Sequence, residues 1–401
     1  MEASHEDSRA AQFALDTNEL FASLGAPLRL EAMQGKGYGV VATRALPAGT
    51  RILCERPMIL TVSHSRRART CAVCLRQDAP PSGWSKACDG CGTLYFCSDA
   101  CAAAISAQHT RTECMALGAA RRQCEEGDAA AADLVMQAVR LLCLRDAGAR
   151  EFRPFGEGAA ALHTGYDSYA ARLQGFRRGQ RTGAQLKQAV VAALRALPAE
   201  ARVAPAELYA VLNRHQANCF GVLGSGASDV GLASFVGAFH LLNHSCSPNV
   251  VFDCVPLRAA RGSEGGEGGE GGEGGEGGEG GERRRAAPCF ALVTLSDVEA
   301  GEELCHCYAD SSEGPSARQA YLLTHHGFRC SCVRCGCDDM DEELRMAARL
   351  DAMRCQADGC GSGLGYPVPG GDAAAGLVRR RCVHCGGEWE SVEDGDSDYS
   401  D

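Results

Sequence analysis

The spacing of apolar residues predicts helices in two parts of the chain. A weak helical pattern near the N-terminus is carried by Phe13, Leu15, Leu20 and Phe21. A stronger pattern follows residue 115, where apolar residues recur at helical spacing in alanine- and arginine-rich sequence. We interpret these apolar faces as core, and Pro205 suits the first turn of the last helix. The stronger segments are 133–145, 185–197 and 204–215.

Strand-like patterns lie on both sides of this helical region. β-Branched and other apolar residues cluster at 40–43 and 52–55, on either side of a Pro47–Gly49 turn. Similar clusters occur at 250–252 and 289–294. Strands are therefore expected at both ends of the helical region.

One segment, 262–285, follows neither pattern. It repeats Gly-Gly-Glu, closes with three arginines and has almost no apolar side chains. Such a segment cannot bury enough surface to offset its chain entropy, so we expect disorder. Because the cost of loop closure grows only logarithmically with length, the insertion is tolerable between two strands. Both an expanded repeat without function and a regulatory acidic arm fit this composition.

Bulk composition narrows the class of protein. With 401 residues and 45% hydrophobic content, the chain can form two or three domains with a sizeable core. No apolar run approaches the length of a membrane span. The segment 1–9 carries several charges and no apolar segment follows it, so no secretory signal is visible. We therefore expect an intracellular protein of the nucleus or cytoplasm. A net charge of -11 argues against a general nucleic-acid binder, although seven glutamates belong to the repeat.

The 24 cysteines indicate metal sites, since reducing compartments do not keep disulfides. Eight potential ligands lie within 44 residues, enough for two closed tetrahedral zinc sites in a module too small and polar to fold on an apolar core. These ligands are Cys71, Cys74, Cys88, Cys91, Cys97, Cys101, His109 and Cys114.

Two further cysteine groups follow near the C-terminus. Cys330, Cys332 and Cys335 supply three ligands and lack a fourth, for which the neighbouring Cys337 is a spare. A second group has the Cys-x4-Cys and Cys-x2-Cys spacing of a zinc ribbon. Its members are Cys355, Cys360, Cys382 and Cys385.

The segment Asn243–Asn249, Asn-His-Ser-Cys-Ser-Pro-Asn, combines polar side chains, a thiol and a proline that forbids helix continuation. We interpret it as backbone folded tightly round a polar ligand. It resembles the signature of SET-domain methyltransferases. The resemblance implies an α+β fold: a β-rich SET domain split by an inserted MYND zinc finger and a helical insert, with a post-SET zinc site and a C-terminal zinc ribbon.

The eight ligands around the segment Tyr95–Ser98 resemble a MYND finger, so the chain is similar to the SET and MYND domain (SMYD-type) protein-lysine methyltransferases. The resemblance implies interleaved sites, with Cys71, Cys74, Cys97 and Cys101 on one ion and Cys88, Cys91, His109 and Cys114 on the other. Four residues separate His109 from Cys114, where the family usually has three. The implied division is an N-terminal arm 1–27, SET 28–66, MYND finger 71–114, helical insert 115–210, SET core 211–311, post-SET 318–337, ribbon 352–388 and acidic tail 389–401.

The resemblance also implies S-adenosylmethionine as cofactor. Tyr308 aligns with the catalytic tyrosine, and Cys246 becomes the fourth ligand beside Cys330, Cys332 and Cys335. His326 stands where relatives often have tyrosine. The implied cofactor-binding residues are Lys36, Gly37, Asn218, His240, Leu241, Asn243, His244, Tyr308 and Phe328.

The expected reaction is methyl transfer to a lysine of a histone or another protein by a monomeric enzyme that holds four zinc ions. Partner peptides are expected on the MYND finger, and neither membrane association nor specific nucleic-acid binding is expected. One alternative is a catalytically silent zinc-rich adaptor that uses the finger. Another is a DNA-binding zinc protein, for which the arginine clusters at 66–69 and 379–381 are short.

Overall fold

A computed structural model describes the chain from residue 2 to residue 392 with gaps. The predicted disordered insert 262–285 lies outside the described residues, as does the tail after residue 392. The described ranges are 2–78, 83–105, 109–124, 129–146, 150–152, 162–164, 184–199, 202–223, 229–235, 237–255, 289–358, 360 and 363–392.

Helices occupy the N-terminus, the region between the first cysteine group and the central motif, and the C-terminal third. The three helices predicted after residue 115 are present, and each extends one to four residues beyond at least one predicted end. The helices are α1 Glu2–Ser23, α2 Asp99–Ile105, α3 Arg111–Cys124, α4 Ala129–Asp146, α5 Ala184–Ala196, α6 Pro205–Ala217, α7 Pro315–His326 and α8 Met340–Ala352.

Short strands supply the rest of the α+β fold, which confirms the predicted class. The strands are β1 Leu28–Met33, β2 Gly37–Ala42, β3 Arg51–Glu55, β4 Ile59–Val62, β5 Lys86–Ala87, β6 Tyr95–Phe96, β7 Arg150–Phe152, β8 Leu162–Thr164, β9 Cys219–Leu223, β10 Asp229–Ser234, β11 Asn243–His244, β12 Val250–Val255, β13 Cys289–Thr294, β14 Cys305–His306, β15 Gly365–Pro367, β16 Leu377–Cys382 and β17 Glu388–Val392.

These strands form small sheets. Strands β1 and β2 form a hairpin, β4, β10 and β9 form an antiparallel sheet, and β12, β13 and β3 form another. The Pro47–Gly49 turn therefore connects two sheets, because β2 pairs with β1 whereas β3 pairs with β13. Gly49 has a φ of +78°, a conformation that favours glycine.

Two large apolar cores correspond to the strand-rich part and the helical part of the chain. The first packs the β1–β2 hairpin and the central sheets around the turn Phe239–Leu241. Helix α1 joins it through Phe21, which is fully buried, and Asn18 accepts a 2.7 Å hydrogen bond from the Leu30 amide. The N-terminal arm thus packs as a helix on the hairpin. The second core joins helices α3 to α6 with the first cysteine region.

The C-terminal ribbon packs on the face of the β12–β13–β3 sheet. Tyr366 and Val383 of the ribbon contact Ala291 and Val293 of β13 in a small buried cluster. Strand β17 runs to Val392, so the first four residues of the predicted acidic tail belong to the ribbon sheet. Within the described ranges, no helix is long and apolar enough to cross a membrane.

Candidate active site

The central motif is held against the segment that precedes Tyr308. Strand β11 runs parallel to β14. Asn249 completes the contact: its Nδ2 donates to the Glu303 carbonyl at 2.9 Å and its Oδ1 accepts from the Cys305 amide at 2.8 Å. Strand β14 ends at His306, so Tyr308 lies in the bend beyond it.

Asn243 connects the motif to the glycine-rich hairpin. Its buried side chain donates from Nδ2 to the Tyr38 carbonyl at 2.9 Å and to Glu303 Oε1 at 2.7 Å. A Cβ at Gly39 would lie 2.6 Å from Glu303 Oε1 and 2.9 Å from Asn243 Nδ2, so glycine is required for this approach. The role of Glu303 was not predicted from the sequence, because its partners Lys36 and Asn243 are distant along the chain.

Lys36 reaches the same cluster from the hairpin turn. Its Nζ lies 2.7 Å from Glu303 Oε2. Burial opposes the ammonium, but the hydrogen bond and negative charge of Glu303 outweigh it and raise the pKa of Lys36. The adjacent Gly37 has a φ of +80°. The hairpin thus presents a cation beside Asn243.

Tyr308 is fixed through both its main chain and its hydroxyl. The hydroxyl donates to the Leu242 carbonyl at 2.6 Å, and the amide donates to His244 Nδ1 at 2.9 Å. The rings of His306 and His326 lie 4.6 Å and 5.0 Å from the Tyr308 ring between centroids. The phenol therefore has a defined position next to the backbone of the central motif.

A cavity of about 550 Å³ opens beside Tyr308. It divides the predicted cofactor residues into two groups. Asn218, His240 and Tyr308 line this cavity, and Asn218 caps helix α6 at the start of β9. The others lie outside its lining: Lys36, Gly37, Leu241, Asn243, His244 and Phe328.

His244 and Phe328 lie on the side of Tyr308 that faces the post-SET cysteines. The buried His244 has Nε2 3.2 Å from Cys246 Sγ, and its ring centroid is 5.9 Å from that of Phe328. Phe328 is half-buried. Both imidazole nitrogens of His244 thus contact the protein, through Tyr308 and Cys246.

Four groups of thiol and imidazole ligands have their donor atoms within 4.8 Å of one another. Such donor sets at this separation suit tetrahedral zinc. Cys337 is outside them, and its Sγ lies 3.2 Å from the Asp339 carbonyl. The groups are Cys71, Cys74, Cys97 and Cys101; Cys88, Cys91, His109 and Cys114; Cys246, Cys330, Cys332 and Cys335; and Cys355, Cys360, Cys382 and Cys385.

Charged side chains outside the ligand sets orient two of these groups. Glu113 Oε2 lies 3.0 Å from His109 Nδ1, and Glu113 Oε1 lies 3.1 Å from Arg140 Nε of helix α4. Near the third group, the buried Arg334 donates to the Cys246 carbonyl at 3.2 Å and pairs with Glu343 at 2.8 Å. Partners of this kind fix ligand orientation and strengthen metal sites.

Comparison with known proteins agrees with this geometry. The SET domain family profile matches residues 37–309, and the chain belongs to this family. That range includes strand β2 of the hairpin, the central motif and Tyr308, whereas strand β1 and Lys36 precede it.

Curated relatives extend the similarity beyond that domain. Human histone-lysine N-methyltransferase SMYD3 is 24% identical over 333 residues, which cover 79% of this chain and 64% of SMYD3. Histone-lysine N-methyltransferase ASHR2 of Arabidopsis thaliana is 25% identical over 77% of this chain and 71% of its own. SET domain and MYND-type zinc finger protein 6 of Schizosaccharomyces pombe is 24% identical over 77% of this chain and 51% of its own. The chain thus spans less than two thirds of SMYD3 and of the yeast protein.

Proposed function

We propose that the protein is an S-adenosylmethionine-dependent protein-lysine N-methyltransferase. The observation that carries this proposal is the position of Tyr308, whose hydroxyl is bound to the Leu242 carbonyl beside a cavity within the SET motif. Its relatives SMYD3 and ASHR2 are named histone-lysine N-methyltransferases, and each aligns with more than three quarters of this chain.

The hairpin side of the site fits S-adenosylmethionine, which supplies an activated methyl group when bound. The Lys36 ammonium suits a carboxylate, and Asn243 offers an amide. The absence of a Cβ at Gly37 and Gly39 lets a ligand approach the backbone. Phe328 offers a half-buried ring face to an adenine. Asn218, His240, Leu241 and His244 complete the proposed binding set.

The protein's contribution to such a displacement is positioning and exclusion of water. A lysine must react as a neutral amine, and its ordinary pKa of about 10.4 is too high for that. Walls rich in aromatic and apolar residues, such as Phe220 and Phe252, disfavour the ammonium and lower that pKa. A tyrosine hydroxyl, with an ordinary pKa of about 10, is a poor general base. We therefore assign Tyr308 to orienting the amine.

Zinc supports this site in the proposal. One ion on Cys246 and the three post-SET cysteines would join the central motif to the segment that carries Phe328. Two ions in the finger and one in the ribbon make four per chain. The proposed partners are a protein substrate that presents a lysine and peptides that bind the finger, with the protein acting as a monomer in the nucleus or cytoplasm.

The test is transfer of radiolabelled methyl from S-adenosylmethionine into proteins of a cell lysate, comparing wild type with Asn243→Ala. Label that depends on Asn243 is the expected result. A wild-type protein that binds S-adenosylmethionine without transferring label would overturn the proposal in favour of a silent zinc-rich adaptor.

A further inference from the structure

The C-terminal ribbon forms part of the wall of the cavity that contains Tyr308. Leu364, Val383 and His384 line this cavity on the ribbon side. These residues lie beyond residues 37–309, the part of the chain that matches the SET domain family. A separate zinc-ligand module thus shapes the space beside the candidate catalytic tyrosine.

The ribbon wall is held rigidly to the central sheet. Val383 is buried against Ala291 and Val293, and its amide donates to the Leu364 carbonyl at 3.1 Å. The Tyr366 hydroxyl donates to Asp253 of β12 at 2.8 Å. Strands β12 and β13 also supply cavity residues. The same contacts therefore hold the ribbon wall next to the wall that these strands form.

His384 contributes an unsatisfied polar group to this wall. It lies in the turn between the ribbon ligands Cys382 and Cys385, and its amide donates to Cys382 Sγ at 3.3 Å. Its ring packs against Gly363, where a Cβ would lie 2.9 Å from Cγ. Within the described part of the chain, nothing hydrogen-bonds the buried Nδ1. Because this atom has almost no accessible surface, His384 contributes shape to the wall and no hydrogen bond through Nδ1.

The cavity carries no fixed charge. Among the described residues that line it, none has a carboxylate, ammonium or guanidinium group. Other parts of the lining are supplied by helix α7, with Tyr321 and His326, and by strand β9, with Phe220. A cationic side chain that entered would lose its hydration without gaining a counter-ion, and an anionic one would meet only imidazole rings, so the entry of either is costly.

We infer that the ribbon wall is a substrate subsite for the residue beside the target lysine, and that it selects an uncharged, apolar side chain. This inference rests on the proposed methyltransferase function. The subsite packs that side chain against Leu364 and Val383, with His384 completing the wall. The preferred substrate is therefore a protein segment in which the lysine has an apolar neighbour.

The test uses the full chain with its zinc and lysine peptides in an otherwise constant sequence. Valine, glutamate or arginine is placed at each of the three positions on either side of the lysine. Radiolabelled methyl transfer gives kcat/KM for each peptide. At one or two positions we expect kcat/KM for the valine peptide to exceed that for either charged peptide by about tenfold or more, since the wall offers no counter-ion.

Two variants separate the subsite from general effects. His384→Glu places a carboxylate in the ribbon wall, and Tyr321→Glu places one at an exposed position of the lining on helix α7. At the position where valine is preferred, each variant should raise the ratio of kcat/KM for the arginine peptide to kcat/KM for the valine peptide by about tenfold. Glu390→Gln, on the exposed face of β17, is the matched control and should leave the profile unchanged. Zinc content and S-adenosylmethionine affinity report whether each variant is folded.

The outcomes distinguish this inference from the function on which it rests. If kcat/KM for the charged and the valine peptides agrees within threefold at every position, the subsite is wrong. The methyl transfer observed in that experiment would still support the methyltransferase function. An unchanged profile in folded His384→Glu or, where that variant loses zinc, in Tyr321→Glu would also overturn it. A wild type that binds S-adenosylmethionine and methylates no peptide and no lysate protein would overturn both.

Discussion

Tyr366 of the ribbon donates a hydrogen bond to Asp253 of strand β12, with 2.8 Å between the phenol oxygen and Oδ2. Both side chains are buried. Burial and the hydrogen bond raise the pKa of Tyr366 to about 12, and burial also raises the pKa of Asp253. The pair thus joins the ribbon to the sheet through groups that are poorly hydrated.

Replacing Tyr366 by phenylalanine should destabilise the protein, because it leaves a buried carboxylate without its donor. We expect the free energy of unfolding to fall by about 1–3 kcal/mol. Denaturant unfolding followed by fluorescence measures this. Tyr321→Phe, on the exposed face of α7, is the control and should change little. A loss for Tyr366→Phe no greater than the control's would show that the pair contributes nothing.

The second prediction concerns His215, which is 1% exposed in helix α6. Burial lowers its pKa from 6.5 to about 3. Between these values the unfolded chain binds a proton that the folded chain does not. The stabilisation from neutral His215 is therefore complete above pH 6.5 and is lost as the pH falls below it.

His215→Gln should remove this dependence. Below pH 6.5 the unfolding free energy of wild type should fall relative to that of the variant by up to about 1.4 kcal/mol per pH unit. All other titratable groups are common to both proteins, so the difference between their unfolding free energies isolates the contribution of His215. His325→Gln, half-buried on α7, is the matched control. A wild-type-minus-variant difference that stays constant from pH 7 to pH 5 would contradict the prediction.

The extent to which sequence predicts this structure depends on the distance between partners along the chain. The strand 289–294 is found with its predicted ends, and short, regular spacings identified the cysteines as candidate ligands, whereas the interleaving of the two finger groups came from family resemblance. Local periodicity and ligand spacing are set by neighbouring residues, so they can be recognised without tertiary information. The fourth ligand beside Cys330, Cys332 and Cys335 came from family resemblance, because Cys246 is far away in sequence.

Long-range contacts could not be predicted in this way. Lys36 and Glu303 are 267 positions apart, and Tyr366 and Asp253 are 113 apart. Likewise, the Pro47–Gly49 turn gave no sign that β3 pairs with β13. The ribbon was predicted as a zinc site, but its contribution to the cavity depends on how Val383 packs on a distant strand. Such placements result from packing, which a single sequence does not encode locally.

The third prediction tests the role assigned to Tyr308. Tyr308→Phe removes the hydroxyl bound to the Leu242 carbonyl while keeping the ring contacts with His306 and His326. Turnover should fall by about 10²–10³, the cost of losing one positioned polar group. Affinity for S-adenosylmethionine, measured by calorimetry, should stay within several-fold.

Tyr95→Phe, in strand β6 of the finger, is the matched control and should keep its turnover. Wild-type turnover in Tyr308→Phe would remove the hydroxyl from the mechanism. A large loss of cofactor affinity would instead move Tyr308 to a structural role in the binding site.

The fourth prediction concerns Glu113, which lies between His109, a proposed zinc ligand, and Arg140 of helix α4. The carboxylate fixes the ring orientation of His109 and strengthens it as a ligand. Glu113→Gln should therefore weaken the group formed by Cys88, Cys91, His109 and Cys114 about 10–100-fold. Competition with a chromophoric chelator measures this, starting from the proposed four zinc ions per wild-type chain. Glu207→Gln, exposed on α6, should release zinc as the wild type does. If Glu113→Gln retains all four ions with wild-type affinity, the carboxylate does not support the site.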